Sequence, residues 1–302
     1  RVLDRGSRSA VTRQQTLHAT LAWSHDLLDG HERVLFRRLA VFAGSMALEA
    51  VEQVCGDAAL DVVDLLSRLV DKSLVQVEHV GGTARYRLLE TIRQFADQRL
   101  RDAGEKAERV RAHRDFFVAL ATANDPERAV GIVNDSPRAL DAEHDNLRSA
   151  LSSGLAEDPA VALRLAVSLW RFWLARGDFS EASRWLAATL AAAPERTASR
   201  ARALLAASAI EVRRGDPAAR QIDLGVEAVA IMRAVGDDRT LAQTLHLTGL
   251  LAWVSDHGWQ RAVDLVQEAR TLTTAVGDAG AVASATHTLG VIAVSRGAGA
   301  QA

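Results

Sequence analysis

Apolar residues recur at intervals of three and four along most of this chain, the spacing of amphipathic helices. Leu17, Leu21, Trp23, Leu27 and Leu28 predict a first helix over Thr16–Leu28, broken by Asp29-Gly30. Val34, Leu35, Leu39 and Phe42 predict a second over Glu32–Phe42, and Ala47–Cys55 reads as a third. Leu60, Val63, Leu66, Leu69 and Val70 mark the buried face of a fourth, Leu60–Val70, with Asp57 placed to cap it. The period then drops to two. Leu74, Val75 and Val77 before Gly81-Gly82, and Tyr86, Leu88 and Leu89 after it, predict a β-hairpin with a two-glycine turn. Helical spacing resumes over Thr91–Ala103, where Gly104 is placed as a C-cap, and over Glu105–Ala123 with Val110, Phe116, Phe117 and Leu120 inward. Asn124-Asp125-Pro126 and Asp135-Ser136-Pro137 are loop signals, and helices follow one another from Leu140.

Helices followed by one hairpin give the outline of a winged helix. The later helices carry a repeat. In Leu169–Pro194, Gly177 serves a turn, Phe179 packs after it, Ala182 permits close helix approach, Leu186 fills the interface and Pro194 stops the second helix. MRAVGDD at Met232–Asp238 returns as TTAVGDA at Thr273–Ala279, and HLTG at His246–Gly249 returns as HTLG at His287–Gly290. Both landmarks recur after about 41 residues, longer than the ~34 of a tetratricopeptide (TPR) unit. The expected fold is therefore mainly α: a winged-helix domain with one small β-hairpin, then an α-solenoid of TPR-like helix pairs. The expected limits are an exposed lead-in over 1–13, the winged helix over 14–104, connecting helices over 105–160 and repeats over 161–302. Three full helix pairs and a further helix near Ala281–Ser295 are expected, and the polar opening and unpaired last helix read as a fragment of a longer protein.

Composition narrows the functional classes. The 302 residues are 48% apolar and 25% charged with a net charge of -2, so no global basic field points to nucleic acid or a membrane surface. Lys72 and Lys106 are the only lysines. Cys55, the only cysteine, excludes an intramolecular disulfide and a cysteine zinc cluster, and reads as a small core residue. With no apolar run near 18 residues and no signal peptide in view, a cytoplasmic location is expected. There is no HExxH, no GxSxG and no GxxxxGK[ST]. Glu143-His144-Asp145 are consecutive, so on a helix they splay, and they read as a polar surface. No enzyme activity is expected of this chain.

The segments Leu21–Gly44, Leu65–Val77 (LLSRLVDKSLVQV), Arg85–Ala96 (RYRLLETIRQFA) and Glu143–Leu151 (EHDNLRSAL) together resemble the winged-helix portion of STAND signalling ATPases. The likeness covers roughly residues 10–155 and is closest to actinobacterial transcriptional regulators of the AfsR/SARP or LuxR kind and their cyclase-linked relatives. It implies a preceding NB-ARC-like ATPase module, so ATP or ADP is expected only with that module and no cofactor in this chain. It also implies the partner: the parent's own ATPase domain. In that family a Met-His-Asp near the end of the hairpin contacts ADP through its His. The matching positions here are Leu88, Leu89 and Glu90, and Leu89 cannot donate to a phosphate. Leu88 and Leu89 then read as hairpin core and Glu90 as a carboxylate at a helix N-terminus.

A DNA reader would surround the helix before the hairpin with cations, but here Asp61, Asp64 and Asp71 stand against Arg68 and Lys72, which argues against direct DNA binding. The TPR likeness puts the first helix of each pair on a concave face. That carries Arg164, Arg171, Arg202, Arg213, Gln243, His246, Trp253 and His287 onto it, a set suited to an acidic peptide or a carboxylate, or to ordinary solvation. Trp173, Trp185 and Trp259 read as interhelical packing. Three functions stay open: the sensor portion of a STAND-type regulator with an unknown protein or small-molecule ligand at the repeats, a freestanding TPR scaffold, and a DNA-binding regulator acting through the winged helix.

Overall fold

The computed structural model describes residues 19–125, 140–215, 218–254 and 258–299. These residues form two compact units, one holding 19–120 and 140–153, the other 121–125 and 154–299. The lead-in over 1–13, Leu17 and the Asp135-Ser136-Pro137 loop signal lie outside the described residues.

The first unit opens with α1 (residues 19–26) and α2 (Gly30–Arg38), which runs on into a single 3-10 turn, Leu39–Val41. The Asp29 carboxylate accepts from the Glu32 amide, and the Glu32 carboxylate accepts from the Asp29 amide, a reciprocal capping box that fixes the start of α2. Next come α3 (Leu48–Cys55), α4 (Val62–Asp71), β1 (Gln76–Val80), β2 (Thr83–Arg87), α5 (Glu90–Asp102), α6 (Lys106–Ala123) and α7 (His144–Glu157). Leu35, Phe36, Leu39, Val51, Val54, Leu66, Leu69 and Leu100 form its core, and Cys55 is fully buried among them.

Two faces differ from expectation. Trp23 is 66% exposed and Leu27 60%, so of the expected face only Leu21 on α1 and Leu28 in the turn after it point inward. On α4 the buried set is Val62, Leu65, Leu66 and Leu69, with Val63 outside. The cap differs too: Asp61, not Asp57, accepts from the Asp64 amide and starts the helix later. Asp57 instead meets Arg38 at 2.7 Å. The α3 end is closed by arginines, since Arg38 donates to the Cys55 carbonyl and Arg109 to that of Val54.

The hairpin pairs Gln76 to Arg87 through Val80 to Thr83, with Gly81 at φ +59° and Gly82 at φ +84°. Both turn residues lie in the left-handed region, which is why two glycines stand there. Met46 adds a bridge to Tyr86, with both backbone bonds made, so the loop before α3 lies along β2. Val77 and Val80 are exposed, and the apolar input of this segment to the core is Leu74, Val75 and Leu88.

The second unit holds α8 (Pro159–Arg176), α9 (Phe179–Ala192), α10 (Ala198–Arg214), α11 (Ala218–Val235), α12 (Asp238–Val254), α13 (Trp259–Ala275) and α14 (Ala279–Gly299). Each of α8, α10 and α12 packs on the helix after it, and α8, α10, α12 and α14 also touch in succession. Among the described residues the result is three helix pairs and a further helix, with the first members in one row. Gly236 and Gly277, the repeated landmarks, both take positive φ after α11 and α13. Ala182 and Leu186 are fully buried in the first pair, Trp173 is nearly so, and Trp185 is half-buried. Trp259, at the start of α13, is 42% exposed. The architecture is mainly α, a winged helix and a helical solenoid. Among the described residues no helix is long and apolar enough to cross a membrane.

Candidate functional site

Three places carry the polar chemistry of this fold. The first is the helix that a DNA-reading winged helix would use. Both cations of α4 turn back onto the start of α2. Lys72 Nζ lies 2.6 Å from both Glu32 carboxylate oxygens, and Arg68 lies 2.7 Å from Asp29 and 3.1 Å from Glu32. Glu32 is completely buried. Burial alone would raise its carboxyl, but Lys72 and the Asp29 amide outweigh that and hold it below the usual carboxylate range. Exposed along α4 and its caps are Asp61, Val63, Asp64, Ser67 and Asp71, together with the outer parts of Arg68 and Lys72, whose charges are paired with Asp29, Glu32 and Asp64. An acidic face repels phosphate, and the two groups that could offset it are already engaged.

The second is the junction of wing and α5. Leu88 is buried, but Leu89 is 45% exposed as the extended N-cap of α5, so only the first of the two leucines is core. Glu90 stands in the first turn and accepts from Arg93 and Gln94 at 2.8 Å; these bonds, with Arg93 foremost, draw its carboxyl down. One turn of hairpin away, Arg85 does not point to solvent. Its guanidinium meets Glu143 at 2.7 Å and donates to the Ser45 hydroxyl, the Ser45 carbonyl and the Ala142 carbonyl. Glu143 is therefore buried rather than part of a polar surface, while Asp145 is exposed as expected. Asn146 completes the cluster. Its amide donates to Ser45 and Glu143, and its carbonyl oxygen accepts from the Ala43 amide and faces His113 Nε2 at 3.5 Å. The EHDN run is thus a lock on the loop before α3. Spacing alone could not reveal this, because Arg85 lies 58 positions before Glu143.

The third is in the repeats. α8, α10 and α12 line a cavity of about 320 Å³. Of the eight residues carried over to the concave face, it gathers four: Arg171, Arg202, Gln243 and His246. Arg164 and Arg213 are exposed elsewhere on α8 and α10, His287 is exposed on α14, and Trp253 packs half-buried against Ala252, Ala262 and Ile292. The cavity also takes Trp170, whose ring carries the Arg171 guanidinium 4.7 Å above its centroid, and Thr240, Thr244 and Leu247. These were legible as one stripe, since Thr240, Gln243, Thr244 and Leu247 stand at i, i+3, i+4 and i+7. His246 Nε2 lies 2.9 Å from the Thr288 hydroxyl, and burial lowers its pKa.

Comparison with known proteins bears on the first unit most directly. Residues 28–101 match the winged helix-turn-helix domain family. A protein of Mycobacterium tuberculosis named as a candidate HTH-type transcriptional regulator is 38% identical over 267 residues, covering 82% of this chain and 29% of the relative; one of Mycobacterium bovis matches equally. An uncharacterized protein of Mycobacterium tuberculosis is 46% identical over 101 residues, 32% of this chain and 26% of its own. The chain thus spans less than a third of the length of these curated relatives. Among solved structures, a STAND protein with a tetratricopeptide repeat sensor from Pyrococcus horikoshii aligns with a TM-score of 0.40 at 14% identity, covering 90% of this chain and 48% of that one.

Proposed function

We propose that this chain is the regulatory portion of a STAND-type transcriptional regulator. Its winged helix packs against and transmits the state of an ATPase module in the parent protein, and its repeats bind the ligand or protein that sets that state. ATP or ADP belongs to that module, and the chain catalyses no reaction of its own. Such a protein works in the cytoplasm. The observation that carries the reading is the disposition of α4: Arg68 and Lys72 are committed to Asp29 and Glu32, and the open side is acidic. A domain arranged so is suited to protein contact rather than to a phosphate backbone. Ligand binding at the repeats would act by favouring one of two preexisting states of the parent.

A second reading, DNA binding through this winged helix, is favoured by the domain match and by the names of the relatives. One experiment separates them. Labelled duplex DNA is titrated with the 302-residue chain from low to physiological salt, with fluorescence anisotropy as readout. The regulatory reading expects no saturable binding at any salt. Saturable binding that weakens steeply with salt, and is lost on Arg87→Glu in the wing, would establish the second reading instead.

A further inference from the structure

We infer that the cavity between α8, α10 and α12 is a binding site for a small amphipathic anion, a carboxylate borne on an apolar chain or ring. The inference rests on the proposed sensing role of the repeats and names the chemistry of what they sense.

The cavity is of small-molecule size, at the low end of the ~300–1,000 Å³ typical of ligand pockets. Its walls divide by chemistry. Val167, Leu205, Leu247 and Leu250 offer aliphatic surface, and Trp170 closes one side with a ring that is 7% exposed. Two arginines line it from successive helix pairs, Arg171 from α8 and Arg202 from α10. Among the described residues, no acidic residue lines the cavity. Asp237, at the head of α12, is close enough to Arg202 for the two charges to interact. Its carboxylate accepts from the Thr240 hydroxyl and amide, and Arg202 helps only as a weaker, longer-range effect on it. Among the described residues Arg202 makes no ion pair.

Arg202 at an apolar pocket, with no carboxylate among the described lining residues, leaves positive potential where a ligand's charge would sit. Guanidinium binds carboxylate in a planar two-bond fork, and such charge-assisted bonds strengthen where apolar walls exclude water. The Gln243 side chain adds a neutral donor beside them. An extended acidic peptide would need a groove of like charges along the row of first helices, but Arg164, Arg213 and His287 are not drawn to this cavity. Its limited volume and single charged end fit a compact ligand better.

The test is calorimetric titration of the full chain with butyrate, hexanoate and octanoate, each beside its primary alcohol, and with a ten-residue poly-glutamate peptide. Octanoate is expected to saturate one site, with affinity rising along the series as apolar length fills the pocket. Octanol should bind about tenfold or more weakly, and Arg202→Ala should weaken octanoate by about tenfold, the worth of one charge-assisted bond. Arg202→Lys, which keeps the charge and loses the fork, should fall between, and unchanged thermal melting of both variants excludes a folding defect. Three results would overturn the inference: no saturation by any carboxylate up to about 10 mM, binding by the glutamate peptide alone, or equal binding of acid and alcohol untouched by Arg202→Ala. The last would leave the repeats as an apolar-ligand sensor, so the proposed function would stand while the anion was lost.

Discussion

Arg85 on β2 and Glu143 just before α7 form an ion pair at 2.7 Å in which neither side chain is more than 7% exposed. Each charge is tolerated in the interior because the other is there and because Ser45, Ala142 and Asn146 satisfy the remaining atoms. Arg85→Met strands a buried carboxylate and should lower stability by about 3–5 kcal/mol in urea unfolding. Glu143→Gln should cost less, since the amide still offers an acceptor and the guanidinium keeps its carbonyl partners. In a double-mutant cycle Arg85→Met with Glu143→Leu should cost less than the two singles together. Strict additivity would mean that the contact is not an energetic pair.

Glu32 provides a second test. It holds Lys72 and Arg68 while capping α2, so Glu32→Gln keeps the shape and removes the charge. A loss of about 1–3 kcal/mol at pH 7 is expected from a charged hydrogen bond at a buried site. The folded carboxyl sits below its ordinary range, so its stabilisation is present above the unfolded pKa and disappears as pH falls through the folded one. The melting curves of wild type and variant should therefore converge in acid. A gap that persists there would assign the loss to packing.

His113 loses stability toward acid in the same direction as Glu32, but from a higher pH, because it is a base kept neutral by burial. It is 2% exposed between Phe42 and Phe117, and burial pushes its pKa down to about 4. Between the unfolded value of about 6.5 and that folded value, the unfolded chain takes up a proton that the fold refuses, so stability falls as pH drops through this window. The shift is worth about 3 kcal/mol in all. His113→Gln, neutral throughout, should flatten this part of the stability profile between pH 7 and pH 4 relative to wild type. An unchanged profile would mean that His113 accepts a proton inside the fold.

The repeated His-Leu-Thr-Gly and His-Thr-Leu-Gly tetrapeptides end in glycines with different surroundings. A Cβ on Gly249 would come within 2.7 Å of Val266 Cγ2 and 3.0 Å of the Ala262 carbonyl, whereas one on Gly290 would meet nothing within 4 Å. Gly249→Ala should cost about 1–3 kcal/mol by overpacking α12 against α13. Gly290→Ala, in the interior of a helix, should be neutral or stabilise by up to about 1 kcal/mol. Equal thermal shifts for the two would contradict the packing described.

The helical period and the two-glycine turn made most of the fold legible. Elements that depend on one stripe of apolar residues were placed to within a few positions. The errors came where a tertiary contact outranked local pattern. Asp57 had the position of a cap but was drawn to Arg38, and the helix began at Asp61 instead. Leu89 reads as strand core, yet α5 begins at Glu90 and leaves it outside. The cavity was half legible: Arg171, Arg202, Gln243 and His246 follow from the TPR likeness, whereas the part of Trp170 depends on how α8, α10 and α12 meet. The Arg85–Glu143 pair left no local signal, because nothing in a window of one or two turns joins strand β2 to a residue 58 positions later.

Glu32 is at once the third residue of a capping box and the counter-charge of α4. A carboxylate with two such duties couples the pieces it joins mechanically. Any tilt of α4 away from α2 would pull Lys72 and Arg68 off Glu32 and loosen the first turn of α2 together with them. The helix that would have to settle into a DNA groove is thus tethered to the start of α2, and a displacement of one is handed on to the other through a single carboxylate.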